Sequence, residues 1–314
     1  MRLESIAAPL VRIALTEDIG GGDATTEVVV DPKARVRAHI EARGKGILAG
    51  NAVAQLAFAE LDPEVEIDWI VPEGAEVKSG VRIAEIRGRA RAILSAERVA
   101  LNFLCQLSGV ATLTRAYVRA LEGTDVQVLD TRKTTPSLRM LEKHAAAVGG
   151  AQNHRFGLFD AMLIKENHAK VAGGLTRAVE KARARSLGLP VMAEARTVED
   201  AELLATLGVD RILLDNFTPA QVAMAVRRIR ALAKAGKLEP GPSAAGARKG
   251  GAAKAGGGTA VASPEAMPEI EVSGGIRLEN IREFAIPGVK YISVGALTHS
   301  APALDLSLLV VDVI

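Results

Sequence analysis

Two rhythms of apolar and polar residues divide this chain. Over the first hundred or so positions, short runs alternate in period two: R-V-R-A-H-I-E-A-R (35–43), E-V-E-I-D-W-I-V (64–71) and V-R-I-A-E-I-R-G (81–88). Alternation of this kind predicts half-buried strands of an open, partly antiparallel sheet. Residues 51–61 and 95–121 carry helical spacing instead, the second opening on Ser95, Glu97 and Arg98. From residue 126 onward the rhythm changes. Short, largely apolar runs appear at 126–130, 161–165, 190–195, 211–216, 269–275 and 291–296, separated by amphipathic stretches such as 197–207, 218–235 and 277–285. Strands buried on both faces and joined by helices indicate parallel βα units. Six or seven such units favour an α/β barrel over an open sheet.

What ends each run carries the chemistry. In order these are Asp130 leading into Thr131, Arg132 and Lys133, then Lys165, Glu194, Asp215, Ser273-Gly274-Gly275, and Val294-Gly295-Ala296. In a barrel the carboxyl ends of the strands share one rim, where active sites lie. Each polar residue alone is as readily a cap for the next helix. All six strand ends being polar or glycine-rich weakens that reading. The same region concentrates cations: Arg132, Lys133, Arg139, His154, Arg155 and Lys165 stand among Gly, Pro and short apolar runs. Long cations are seldom buried without partners, so their convergence predicts a polyanionic ligand bearing phosphates or carboxylates.

Composition narrows this further. A chain of 314 residues with 48% hydrophobic positions suits two domains, and 3% aromatic residues leaves the core to Ala, Val, Leu and Ile. A net charge of +2 suggests neither nucleic-acid nor membrane attraction. The single cysteine, Cys105, cannot form an internal disulfide, and a reduced, cytoplasmic protein is expected. No segment reads as transmembrane. Residues 234–268 are low-complexity Ala, Gly, Pro and Lys, expected to be a flexible excursion. With few charges and no aromatic for stacking, they are not expected to bind nucleic acid.

The S-G-G turn at 273–275, followed by I-R-L-E-N-I-R-E-F, predicts backbone N–H groups and a helix start that bind phosphate. Val294–Ala296 offers a second set of donors, with Thr298 and Ser300 nearby. Glu194 and Asp215 are suited to ribose hydroxyls or to a Mg²⁺ bridging a diphosphate. The five histidines lack zinc spacing, and no Walker A loop, G-x-S-x-G or G-x-G-x-x-G occurs. A phosphate nest, two carboxylates and a cationic pocket on one rim describe a phosphorylated sugar meeting a carboxylated partner.

At these residues the chain resembles the quinolinate phosphoribosyltransferases. The resemblance rests on E-D-I-G-G-G-D-A-T-T (17–26), E-R-V-A-L-N-F-L-C-Q-L-S-G-V-A-T (97–112), D-T-R-K-T-T-P-S-L-R (130–139), G-G-A-Q-N-H-R-F-G-L-F-D (149–160), L-I-K-E-N-H, L-L-D-N, V-S-G-G-I and V-G-A-L-T-H-S, in order along nearly the whole chain. It implies an N-terminal α/β open-faced sandwich domain over residues 1–110, with 300–314 packing back onto it, and a barrel over 111–299. It also implies a quinolinate pocket of Arg132, Lys133, His154, Arg155 and Lys165, with Thr131 beside them. Glu194 and Asp215 would lie near ribose and Mg²⁺, and Ser273–Gly275 with Val294–Ala296 would take phosphate. Lys133, Lys165, Glu194 and Asp215 are the expected catalytic residues. Arg98 would cross to the neighbouring site of a homodimer or hexamer. The implied reaction joins quinolinate to phosphoribosyl pyrophosphate with loss of pyrophosphate and CO₂, a step of NAD biosynthesis. Met192 stands where the family usually has the first of two glutamates. A phosphoribosyltransferase for nicotinate is the nearest alternative, but one carboxylate needs fewer cations.

Overall fold

The computed structural model describes residues 3–242 and 267–314. The chain divides into two compact units: residues 1–118, 133–153 and 295–314 form the first, and 119–132 with 154–294 the second.

The first unit begins with α1 (Leu3–Ile19) and α2 (Ala24–Val29), followed by β1 (Arg35–Ala42), β2 (Gly46–Ile47), α3 (Asn51–Leu61), β3 (Glu66–Trp69), β4 (Glu76–Val77), β5 (Arg82–Arg89) and α4 (Ala90–Ala120). Its main sheet is antiparallel, with the last strand of the chain, β12 (Leu306–Val313), at one edge in the order β12-β1-β5-β3. The chain end thus returns to pair with β1, Val36 opposite Val313. Helix α4 starts at Ala90, directly after β5, rather than at Ser95. Its apolar side is mostly Ala, Val and Leu, as the scarcity of aromatics requires. Gly109 lies on that side because a Cβ there would come within 2.2 Å of the Pro302 carbonyl oxygen. Helix α5 (Arg139–Gly149) also belongs to this unit, and Gly150 ends it at φ +107°.

The second unit holds a six-stranded parallel sheet. Its strands are β6 (Gln127–Leu129), β7 (Met162–Ile164), β8 (Val191–Ala195), β9 (Arg211–Asp215), β10 (Glu269–Ser273) and β11 (Tyr291–Ser293), in the order β6-β11-β10-β9-β8-β7. The helices α6 (Glu166–Ala172), α7 (Leu175–Ala184), α8 (Val198–Thr206) and α9 (Pro219–Lys234) fall between successive strands. Local sequence explains two of their starts. Thr197 accepts the Asp200 N–H while Asp200 returns a bond to Thr197 N–H. Thr218 and Gln221 do the same ahead of α9, with Pro219 at its first position.

Two expectations need correction. Residues 277–285 do not form an α-helix; the segment holds only a 3₁₀ turn over Ile281–Phe284. The Asn280 side chain accepts the Arg277 N–H at 2.8 Å and donates to the Gly275 carbonyl at 3.1 Å, so local bonds displace the helical ladder. The excursion expected from 234 also begins later. Arg183 donates to the Glu239 carboxylate at 2.6 Å and to Pro240 O at 3.3 Å, tethering the chain up to its last described residues there. Residues 243–266 lie outside the described residues. Among those described, no helix is long and apolar enough to cross a membrane.

Candidate active site

Register decides which side chains of the parallel sheet share a face. Met192 pairs with Arg211 and Glu194 with Leu213. Arg211, Leu213 and Asp215 pair in turn with Glu269, Glu271 and Ser273. Paired residues on parallel strands point to the same side, so these eight lie on one face. The layer below Glu194 is apolar: Met192, Leu213 and Ala161 are buried together with Leu163 against them. Met192 is therefore a packing residue, 4% exposed, and Glu194 keeps its place one step nearer the carboxyl end.

The carboxyl ends of the strands carry the predicted residues. Lys165 follows β7 and forms an ion pair with Glu194 on β8. Asp215 ends β9, where its two oxygens accept from Ser273 Oγ at 3.1 Å and Asn216 Nδ2 at 3.0 Å. Asn216 sits at φ +58°, a left-handed backbone that asparagine tolerates better than most side chains. Gly274 is required beside it: a Cβ would fall 2.3 Å from Asn216 Oδ1. With Gly274 at φ +88° and Gly275 at φ +67°, the turn after β10 is built from glycine backbone, not from a helix start. The N–H groups offered there are those of the turn, without a helix N-terminus behind them.

The segment between β6 and β7 forms the cationic part. Asp130, fully buried after β6, accepts the His154 N–H at 2.8 Å. Arg155 donates Nη1 to the Ala161 carbonyl at 2.9 Å, while its buried Nε has no hydrogen-bond partner among the described residues. Burial pushes this guanidinium below the usual arginine range, and Arg132 pushes it further; Asp160 and Glu194 pull the other way. The loop after Arg155 is fixed by Asp160, which accepts the N–H groups of Phe156 at 2.6 Å and Gly157 at 3.0 Å. Burial works to raise the Asp160 carboxyl, but those two donors hold it below the ordinary range.

Beneath them lies a residue that sequence reading passed over. Glu271 is fully buried on β10. It accepts from Ser293 Oγ, from Arg211 Nη1 at 3.1 Å, and faces His154 Nε2 at 3.5 Å. Burial favours its neutral form, yet His154, Ser293 and Arg211 together hold it ionised, below the usual carboxylate range. The signal was present in E-I-E-V-S, where Glu271 stands two positions before Ser273 and so on its face.

The second unit thus gathers Thr131, Arg132, His154, Arg155, Lys165, Glu194, Asp215, Ser273, Gly274, Gly275 and Val294. Lys133, Gly295, Ala296 and Arg98 belong to the first unit. There, Thr298 Oγ1 donates to the Lys133 carbonyl at 2.7 Å, and a Cβ on Gly295 would press on the Lys133 stem at 3.1 Å. Arg98 lies on α4. Among the described residues no three His, Cys, Asp or Glu side chains cluster as a metal cage.

The N-terminal domain of quinolinate phosphoribosyl transferase matches residues 23–108, and the C-terminal domain matches 110–243 and 258–309. A Nicotiana glauca quinolinate phosphoribosyltransferase [decarboxylating] is 36% identical over 312 residues, spanning 95% of this chain and 81% of that protein. A Bacillus subtilis protein described as a probable nicotinate-nucleotide pyrophosphorylase [carboxylating] is 39% identical over 293 residues, spanning 93% and 89%. The solved nicotinate-nucleotide pyrophosphorylase of Francisella tularensis superposes with a TM-score of 0.84 at 34% identity, covering 99% of this chain and 98% of that one. With both domains matched and relatives at this identity along almost its full length, the chain belongs to the quinolinate phosphoribosyltransferase family.

Proposed function

We infer that this protein transfers the phosphoribosyl group of phosphoribosyl pyrophosphate to quinolinate, releasing pyrophosphate and CO₂ and forming nicotinate mononucleotide. The observation that carries this reading is the Arg132–Arg155 pair, two half-buried cations close enough to oppose each other's charge. A dianion suits such a pair because it meets both charges at once. Adjacent ring carboxylates supply two charges on a flat, rigid frame that a guanidinium fork matches.

The reaction breaks the bond between C1 of the ribose and the pyrophosphate oxygen, and forms a bond from C1 to the pyridine nitrogen. C1 becomes positive as the leaving group departs. Carboxylates at Glu194 and Asp215 suit that charge and the ribose hydroxyls. The 2-carboxylate then leaves as CO₂, its electron pair staying on ring C2 beside the cationic nitrogen until a proton arrives. Lys165, tied to Glu194, would hold a carboxylate and orient the ring with His154 and Arg155. Ser273–Gly275 and Val294–Ala296 would bind the phosphates.

Glu194 and Asp215 lie on neighbouring strands, and each keeps lone pairs beyond its present partners. Glu194 and Asp215 would be the residues to hold a Mg²⁺, which when bound would supply positive charge beside the pyrophosphate. We further propose a homodimer or hexamer in which Arg98 reaches the neighbouring site, and a cytoplasmic location.

The test incubates purified protein with quinolinate, phosphoribosyl pyrophosphate and Mg²⁺, following CO₂ and mononucleotide, with nicotinate in parallel. Quinolinate-dependent release that is lost in Lys165→Ala is the expected result. Turnover of nicotinate in preference, or of neither acid, would overturn the reading.

A further inference from the structure

The imidazole of His154 is engaged at both nitrogens. The Arg155 backbone N–H, which can only donate, approaches Nδ1 at 2.7 Å, so Nδ1 must be the bare acceptor. The ring proton then resides on Nε2, the atom facing Glu271 Oε1 at 3.5 Å. Glu271 is itself fixed from two further sides by Ser293 and Arg211. At its other end the His154 backbone is held by Asp130. Asp130, Glu271, Ser293, Arg211 and Arg155 are thus among the charged and polar groups around the ring and its carboxylate partner. His154 is 8% exposed and Glu271 is fully buried.

We propose that Glu271 is a positioning residue that locks His154 as the Nε2–H tautomer, so that His154 serves as a rigid spacer aiming Arg155. The chain of contact runs from the sheet interior to the loop. Glu271 receives Nε2–H, the ring presents Nδ1 upward, and Nδ1 fixes the peptide that begins Arg155. From that peptide the guanidinium reaches a hydrogen-bonding anchor at the Ala161 carbonyl. A small rotation of the imidazole would therefore swing the cation by more than the tolerance of a bidentate contact. This inference rests on the quinolinate reading for the consequence in catalysis, but not for the state of the ring.

The experiment labels the histidines of the intact protein with ¹⁵N and records the ring nitrogens at pH 8, assigning His154 by its loss in His154→Gln. The expected spectrum has Nε2 protonated and Nδ1 bare, unchanged on adding quinolinate. In Glu271→Gln, both tautomers should be populated, and the KM for quinolinate should rise at least tenfold. The KM for phosphoribosyl pyrophosphate and kcat should move by less than threefold, a split that general loss of folded protein would not produce. His154→Gln, whose amide nitrogen takes the place of Nε2, should retain at least tenfold more kcat/KM than His154→Ala. Protonated Nδ1 in the parent protein, or Glu271→Gln with tautomer and KM both unmoved, would overturn the proposal. Should Glu271→Gln fail to fold, the parent spectrum and the two His154 variants still decide it. An inactive parent with the expected tautomer would instead count against the reaction and leave the ring assignment standing.

Discussion

The two ends of the parallel strands use the same side chains for opposite ends. At the amino ends, Arg211 donates to Glu269 at 2.8 and 3.0 Å and to Glu271 at 3.1 Å, with its guanidinium 4.1 Å from the centre of the Tyr291 ring. Lys290 completes that set by pairing with Glu269. Burial acts to lower the Arg211 guanidinium, but the two glutamates raise it above the usual range. At the carboxyl ends Arg155 is pushed the other way, with a buried Nε that nothing among the described residues satisfies. A cation whose partners are all present holds the fold. One held half-satisfied beside a like charge is open to a partner from outside. The direction in which each guanidinium is displaced separates the two roles better than burial does.

The sharpest way to break this contrast is Arg155→Lys. An ammonium cannot supply the fork, so kcat/KM for quinolinate should fall about a hundredfold to a thousandfold, since truncating a desolvated charge contact costs about 2–5 kcal/mol. The melting temperature should stay within a few degrees, and steady-state kinetics with thermal unfolding checks both. Arg211→Met should do the reverse. It leaves Glu271 and Glu269 without their shared cation, at a cost of about 3–5 kcal/mol, or roughly 10 °C in melting temperature. The quinolinate KM should change far less than in Arg155→Lys. If Arg211→Met spared stability and abolished binding, the two ends would not differ as described. The smallest effect belongs to a paired carboxylate of the first unit. Arg89 donates to Asp62 at 2.7 and 2.8 Å and holds its carboxyl at about 2. A depressed carboxylate stabilises fully above its unfolded value near ~3.9, and that contribution fades as pH falls towards 2. Asp62→Asn should therefore be less stable than the parent at pH 6, with the gap in urea midpoints narrowing as pH drops from 4 to 3.

Much of this was legible in sequence because the relevant physics is local. Apolar runs ended by Lys165, Glu194, Asp215 and Ser273 identified the rim residues, since a parallel strand buried on both faces needs no partner to be recognised. The T-V-E-D and T-P-A-Q helix starts are likewise self-contained. What stayed hidden depended on distant or competing bonds. Ala90 opens α4 without a polar cap because β5 feeds straight into it, so Ser95 drew the boundary five residues late. Asn280 turned a helical pattern into a 3₁₀ turn through two side-chain bonds. Glu271 read as an ordinary strand glutamate because its partners Arg211 and His154 are far away in sequence. Met192 looked like a lost functional group, yet its neighbours Ala161 and Leu213 make it a core residue.

Asp210 has a consequence for how this chain can be altered. It takes the Val191 N–H on its carboxylate at 2.7 Å, its carbonyl accepts the Glu269 N–H at 3.0 Å, and Gly241 packs closely against it. Both margins of the low-complexity stretch are therefore clamped to one residue at the amino ends of the strands, away from Lys165, Glu194 and Asp215. The family match skips residues 244–257 between those margins. Closing a longer loop between fixed ends costs only about 0.6 kcal/mol for each doubling of its length. This is the position at which evolution could lengthen the protein freely, and at which an engineer could cut it, relink its termini or graft a second domain while leaving the chemistry alone.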